Sequence, residues 1–541
     1  MTTGIELDRR TFLAAAGVSV VAVSCGQTSR PATEIPRRIR DIMAKPRYSA
    51  AQWSLVAKDI KSGETLLELN PYAMAFTGST RKLFSVGMAL NTLGKDHRFT
   101  TRVHRTADVG PNGKLDGDLV LVAAGDLTFG GRRKDADTVE YTDFDHGDAN
   151  NLGVAELAPQ DPLFAINQLA EEVRKAGITS VSDVVVDDRL FVAYRVPNGN
   201  LLIPPILINE NMIDLSIVPT EVGKPATISY RPMTDAVTVT GSVTTGAEGS
   251  ETTLNVSGDG HVECIGSPDC TGDISGSIAK GYKSPFIGDT TAVRTLRIED
   301  PATFARTAYI DALKRNGVTV EAPAVASNPS GKLPDATLYN DGNAVATYVS
   351  APYFQDARLT LKVSMNLGAN LSLSLFGLTK GARTIEAALM AERETLVDKF
   401  QIDGGQFNFP TNGSGSPDSQ ATASALVKLL TEMSKTEVAE DYKTCLPILG
   451  TDGSLAFTGK TLSGKGHVHA KPGTTVMPGA DGETLELKAQ NLAGYIDTKS
   501  GRTVAYAVMV NNAGKITDLS KDVGAVFEDE GEISSLIYEQ F

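Results

Sequence analysis

At 541 residues the chain is too long for one ordinary compact domain, and length alone suggests about two to four. With 41% hydrophobic and 21% charged residues it has the composition of a globular protein and ample material for a core. A formal net charge of −14 argues against a general binder of phosphate backbones, which is normally basic.

The N-terminus reads as an export signal. Arg9 and Arg10 precede an apolar run of 12 residues, Phe12 to Val23. A membrane-spanning helix needs about 20 residues, so this run is too short to span. Paired arginines before a short apolar core are the grammar of the twin-arginine route. "AVSC" ends at Cys25 and resembles a lipoprotein cleavage box, with Ala22 where leucine is usual. Cys25 is therefore a candidate for lipidation, and the competing expectation is a plain cleaved signal. Residues 1–25 are the expected signal, and residues 26–36, rich in Ser, Pro, Thr and Arg, read as a tether.

"WSLVAKDIKSGETLLELN" alternates apolar and polar residues on both sides of "KSGE", a β-hairpin pattern. "AFTGSTRKLFSVGMALNTLG" follows. Its Leu83, Phe84, Val86, Met88, Leu90 and Leu93 suit a largely buried helix ending at Gly94. Ser79 and Lys82 thus stand at the mouth of a helix after a strand pair.

From about residue 101 the texture changes to short alternating segments such as "DLVLVAAG", "VSDVVVDD", "TISYRP" and "AVTVTGSVTTG", with one helical pattern, "PLFAINQLAEEVRKAG". This predicts a β-rich insert over residues 101–289. Within it, "GRRKDADTVEYTDFDHGDANNLG" reads as a long solvated loop. Asp143, Asp145 and Asp148 match no full calcium loop. Export permits disulfides, and Cys264 and Cys270 in "ECIGSPDCTG" could close a short loop or remain two thiols. Cys445 reads as a buried small residue.

After about 290 helical patterns return in "DPATFARTAYIDALKRNG", "TIEAALMAERETLVDKF" and "SQATASALVKLLTEMS". "NLAGYIDTKSGRTVAYAVMVNN" then gives two strand patterns around a Lys-Ser-Gly turn, and a last helix is expected after it.

Ser79 and Lys82 are three apart, so a helix would place them on one face. The pair alone is common, and two further groups give it meaning. "LKVSMNLGANL" holds Ser364 and Asn366, which would point the same way if that segment were extended. "GHVHAKPGTTV" holds Lys471, Pro472, Gly473, Thr474 and Thr475, where a lysine before a glycine on an edge strand can offer a cation and bare backbone to a peptide. His467 and His469 share a strand face with Lys471, but a His-x-His pair without a third ligand reads as ordinary strand residues. No P-loop, dinucleotide fingerprint or Gly-x-Ser-x-Gly elbow is present in the sequence.

These three groups, Ser79-Thr-Arg-Lys82, Ser364-Met-Asn366 and Lys471-Pro-Gly473, stand in the order of the Ser-x-x-Lys, Ser-x-Asn and Lys-Thr-Gly motifs. The chain resembles the class C low-molecular-mass penicillin-binding proteins, the D-alanyl-D-alanine carboxypeptidase/endopeptidase family. "VDDRLF", "NGSGSPDSQAT" and "LPILGTDGSL" also look like its signatures, and the resemblance covers nearly the whole exported chain. It implies an α+β fold: a penicillin-binding/β-lactamase-like transpeptidase domain, an antiparallel sheet flanked by helices, formed by residues 37–100 and 290–541. The β-rich insert falls between the first and second motifs, where this family carries inserted domains.

The resemblance further implies roles. Ser79 is the acylated nucleophile and Lys82 its base. Ser364 and Asn366 relay protons and hold the substrate amide, and Lys471 lends positive charge. The N–H groups of Ser79 and Thr474 form the oxyanion hole, with Gly473 and Thr475 beside it. The expected function is a serine-type D-Ala-D-Ala carboxypeptidase, with DD-endopeptidase activity as a further expectation. Its expected partners are peptidoglycan stem peptides, β-lactams as covalent inhibitors, and a membrane only through an N-terminal lipid. No cofactor, metal or nucleic acid is expected, and the site of action is the periplasm or cell envelope. One departure stands out: Pro472 replaces the threonine of the third motif. Proline removes a hydroxyl and an N–H and fixes φ. The alternatives are therefore a scaffold of this kind with little turnover, or a related serine hydrolase or β-lactamase.

Overall fold

The computed structural model describes residues 34–145, 153–257, 260–285, 287–479 and 481–541. The expected signal, Cys25, the first part of the tether and Asp148 lie outside these residues.

The sheet that carries the site is built from the two ends of the chain. "KSGE" turns back between β1 (Gln52–Asp59) and β2 (Thr65–Leu69), which pair antiparallel. The Asp59 carboxylate closes the turn by accepting the N–H groups of Lys61 and Ser62, each at 2.9 Å. The C-terminal part supplies β3 (Val468–Pro478), β4 (Leu485–Asp497) and β5 (Thr503–Asn511). The order is β2-β1-β5-β4-β3, antiparallel throughout, so β3 lies at an edge.

Strand β5 and the stretch Leu492–Ile496 of β4 read almost continuously apolar because both faces are covered. Ala493, Tyr495, Ala505, Ala507 and Met509 pack into one core with the helix Lys82–Leu93 (α1). Their neighbours Leu492, Ile496, Val504, Tyr506, Val508 and Val510 pack into another with the last helix, Leu519–Gln540. The period of two thus divides each strand between two layers. Four more helices of this part are α2 (Tyr353–Lys362), α3 (Asn366–Leu378), α4 (Ile385–Asp398) and α5 (Ala423–Met433), and the last helix is α6. Thr384 and Thr422 start α4 and α5 by accepting the N–H groups of Ala387 and Ala425. Among the described residues no helix is long and apolar enough to cross a membrane.

The inserted chain is β-rich. A five-stranded sheet runs in the order 319–320, 180–187, 114–122, 100–105, 344–349, and further sheets of four and three strands lie in residues 212–298. This core does not stop near residue 290. The helix Pro301–Arg315, capped by Asp300, buries Phe304, Ala308, Ile310 and Leu313 in the same cluster as Leu119, Val181 and Val184. The strand Ala344–Val349 pairs with Thr100–Arg105. The inserted chain therefore returns to the other core only near residue 350. An amphipathic helix pattern states that a face is buried, not against which sheet, so the sequence placed this helix with the wrong partner.

The polar stretch after Gly130 is also not a solvated loop throughout. Arg132 and Asp145 are buried as an ion pair, and Glu210 is the arginine's second partner. Asp143 accepts the Gly453 N–H at 2.7 Å, which docks the inserted chain on the part built from the two ends of the chain. Charges that look solvent-seeking in sequence are buried here because each finds a partner. Cys264 and Cys270 form a disulfide with Cα atoms 5.0 Å apart. Cys445 is a buried free thiol that burial pushes well above its usual range.

Candidate active site

Ser79 lies in a tight turn, Gly78–Arg81, that leads directly into α1. Backbone atoms surround the turn closely. A Cβ on Gly78 would lie 2.5 Å from Thr474 N, one on Gly473 would lie 2.2 Å from Thr77 O, and one on Gly415 would lie 2.0 Å from Gly78 O. Three glycines from three distant segments are thus required for the serine turn, the edge strand β3 and the loop 412–416 to meet. Asn491 of β4 holds the turn from below, donating to Phe76 O and Thr77 O at 2.8 and 2.9 Å.

The titratable groups converge on this point. The Lys82 amine lies 2.7 Å from Ser79 Oγ, 2.7 Å from Asn366 Oδ1, 3.2 Å from the Ser414 carbonyl and 3.5 Å from Ser364 Oγ. The Lys471 amine donates to Ser364 Oγ at 2.8 Å and to the Pro472 carbonyl at 2.9 Å. Both lysines have no exposed surface, whereas Ser79, Ser364 and Asn366 are half-buried. A hydroxyl therefore bridges two buried amines, one of which also reaches the serine at the helix mouth.

Ser364 and Asn366 do not lie on an extended segment. Ser364 adopts φ 64° in the turn between α2 and α3, and Asn366 is the first residue of α3. A positive φ is uncommon for a serine, and a tight inter-helix corner that aims two polar groups inward is where it is tolerated. Asn370 then ties this corner to the loop opposite: its amide donates to Asn366 O and its oxygen accepts the Gly413 N–H, both at 2.8 Å.

On β3 the phase of the strand decides what Pro472 costs. Ala470 N–H donates outward to Pro447 O, and Val468 O accepts from Leu449 N–H on the same side. Residues 468, 470, 472 and 474 therefore turn their amides away from β4. Proline at 472 forfeits no hydrogen bond to β4, and this is the edge position where it is tolerated. The Thr474 N–H has the same outward phase and lies against the Ser79 turn. The Thr474 hydroxyl faces the other way and donates to Gln490 Oε1 at 2.8 Å, while the Thr475 and Ser416 hydroxyls pair at 2.9 Å. Behind Gln490, Glu530 of α6 is fully buried. Burial pushes its carboxyl well above the usual range.

The two histidines take separate places. His467 stacks on Tyr538 at 4.7 Å, and His469 lies 3.9 Å from Asp497 and is pushed below its usual range, chiefly by burial. Among the described residues no group of three or more His, Cys, Asp or Glu is placed to hold a metal.

Sequence reasoning missed the loop 412–416 as part of this site. Its Ser414 carbonyl touches the lysine, and Asn412 organises the loop by accepting from Ser414 N and Gly415 N at 2.9 and 2.7 Å. The available signal was the Gly-Ser-Gly of "NGSGSPDSQAT", where glycine marks close backbone approach.

Known proteins share this arrangement of elements. Residues 36–529 match the D-Ala-D-Ala carboxypeptidase 3 (S13) family. A D-alanyl-D-alanine carboxypeptidase from an Actinomadura species is 26% identical over 468 residues, which covers 83% of this chain and 80% of that protein. Penicillin binding protein 4 from Haemophilus influenzae has the same fold at 18% identity, with a TM-score of 0.65 over 92% of this chain and 98% of that one. Its complex with a β-lactam gives a TM-score of 0.64 at the same identity, over 93% and 99% of the two chains. A match from residue 36 to residue 529 covers every segment that meets at Ser79 and the insert among them, and on it the chain belongs to the D-Ala-D-Ala carboxypeptidase 3 (S13) family.

Proposed function

We propose that this protein is a serine-type D-Ala-D-Ala carboxypeptidase that acts on peptidoglycan stem peptides through an acyl-enzyme on Ser79. The observation that carries the reading is the contact of the Lys82 amine with both Ser79 Oγ and Asn366 Oδ1, each at 2.7 Å. A lysine is a base only when neutral. Burial and a second cation nearby are the two effects that favour the neutral form of an amine, and the Lys82 amine is fully buried and shares the Ser364 hydroxyl with the Lys471 amine.

Lys82 takes the Ser79 proton as Oγ attacks the carbonyl of the penultimate D-alanine. The N–H groups of Ser79 and Thr474 receive the oxyanion, and preorganised donors of this kind are worth about 3 kcal/mol each. Ser364, bridging Lys82 and Lys471, passes a proton to the departing amine, and the C–N bond breaks to release D-alanine. Water then hydrolyses the ester. Asn366 holds the substrate amide, Lys471 attracts the terminal carboxylate, and Gly473 lets the substrate backbone lie along β3 with Thr475 at the far end of the motif. β-Lactams acylate the same serine. DD-endopeptidase cleavage of crosslinks belongs to the same chemistry.

The wider reading follows from the sequence. The protein is exported by a twin-arginine signal in residues 1–25, and Cys25 carries a lipid that holds it at the cell envelope through the tether to residue 36. The catalytic part is split around the insert. Incubation with a pentapeptide ending in D-Ala-D-Ala tests the activity: free D-alanine is expected from wild type and none from Ser79→Ala. No release by an enzyme that a penicillin still labels would leave only a binding scaffold.

Pro472 bears on the same choice. Because its amide faces outward, Pro472→Thr restores a hydroxyl and an N–H without disturbing the pairing with β4. D-Alanine release by Pro472→Thr is expected to equal or exceed that of wild type. A collapse of turnover would make the proline ring a working part of the cleft.

A further inference from the structure

Arg81, between the serine and the lysine, has no role in the chemistry just described, yet it is a guanidinium with no exposed surface. Its two terminal nitrogens donate to the two oxygens of Glu392 on α4, which is 1% exposed, and its Nε donates to the Asn412 carbonyl at 3.2 Å. Its guanidinium carbon, Cζ, lies over the Phe409 ring, 4.0 Å from the centre. Charge, fork geometry and stacking are all used, a combination that lysine cannot reproduce.

The far end of this clamp is the loop that touches Lys82. Asn412 receives Arg81 on its backbone oxygen, and with its side-chain oxygen it accepts from Ser414 N and Gly415 N. Gly413 O accepts from Ser85 Oγ at 2.7 Å, one turn further along α1. Two adjacent carbonyls, Asn412 and Gly413, are therefore held by the serine turn and by α1, and the Ser414 carbonyl that follows them lies against the Lys82 amine.

A neutral amine has two N–H donors and one lone pair. The Ser414 carbonyl oxygen and Asn366 Oδ1 can only accept hydrogen bonds, and each lies within reach of Lys82. With two N–H groups directed there, the lone pair can face a hydroxyl that donates, and Ser79 Oγ at 2.7 Å is nearer than Ser364 Oγ at 3.5 Å. We propose that Arg81 is a positioning residue: by clamping Asn412 against Glu392 and Phe409 it seats the Ser414 carbonyl on Lys82 and so aims the lysine lone pair at Ser79. This rests on Lys82 acting as the base.

Stability and positioning can be separated. Replacing a buried ion pair by apolar residues of similar size is often neutral or stabilising. In the double variant Arg81→Met/Glu392→Leu the fold is expected to survive while the hold on the Asn412 carbonyl is lost. Arg81→Lys keeps a cation beside Glu392 and loses the fork. Acylation by benzylpenicillin is resolved into its initial binding constant and its acylation rate constant, and melting temperature is measured alongside. Both variants are expected to acylate at least about 10-fold more slowly, with initial binding within about threefold of wild type, because a small misplacement of a reacting group is costly in rate. A double variant that melts and acylates like wild type would overturn the proposal and leave Arg81 a purely structural ion pair. A wild type that is never acylated, or Lys82→Ala acylating normally, would instead reject the reading of Lys82 on which it rests.

Discussion

Lys82→Ala is expected to lower the rate of acylation of Ser79 by about 10²–10⁴-fold, the range that a positioned general base supplies. The amine touches the serine oxygen, Asn366 and the Ser414 carbonyl together. Alanine removes the proton acceptor without changing the serine turn, which is held from other directions by Asn491, the Ser419 carbonyl and the glycine contacts. The folded state should persist, and stopped-flow labelling by a fluorescent penicillin reads the rate. An unchanged labelling rate would assign the base elsewhere, and Ser364, 2.8 Å from Lys471, would be the group to examine next.

Gly473→Ala is expected to cost about 10²–10³-fold in acylation, comparable to losing an oxyanion donor. The new methyl would stand 2.2 Å from Thr77 O and 2.8 Å from Thr80 N. Both are backbone atoms of the serine turn, so neither can rotate aside, and the edge strand and the turn must separate. That separation moves the Thr474 N–H away from Ser79. Gly524→Ala is the matched control, because nothing lies within 4 Å of its added Cβ and it sits within α6, far along the chain from the cleft. Its acylation rate should stay at the wild-type value. Gly473→Ala reacting as fast as Gly524→Ala would mean that β3 and the turn are not held as closely as drawn here.

Much of this was readable in the residues themselves. The hairpin around "KSGE", the helix after Ser79 and the strand pair around "TKSG" follow from period and turn chemistry, which are local. The order of the three motifs named the residues that meet, and the structure brings Ser79, Lys82, Ser364, Asn366 and Lys471 into one cluster. What could not be read is what depends on which segment faces which. Ser364 sits at a corner with positive φ rather than on an extended connection, because the α2–α3 turn is set by packing of two helices. The helix Pro301–Arg315 serves the insert, and its amphipathic pattern carries no label for its partner. Nothing in the sequence marked Arg81 between the two motif residues, because its partners, Asn412 and Glu392, come from more than 300 positions away. Pro472 stood as a departure from the third motif, tolerable on an edge strand and not beside a sheet neighbour, and the phase of β3 shows that its amide faces away from β4.

The most direct test is the intact mass of the protein after exposure to benzylpenicillin, followed by peptide mapping of the modified residue. One added penicillin on Ser79, absent from Ser79→Ala, is the predicted result. A wild type that gains no mass, or an adduct that maps to another residue and persists in Ser79→Ala, would contradict it.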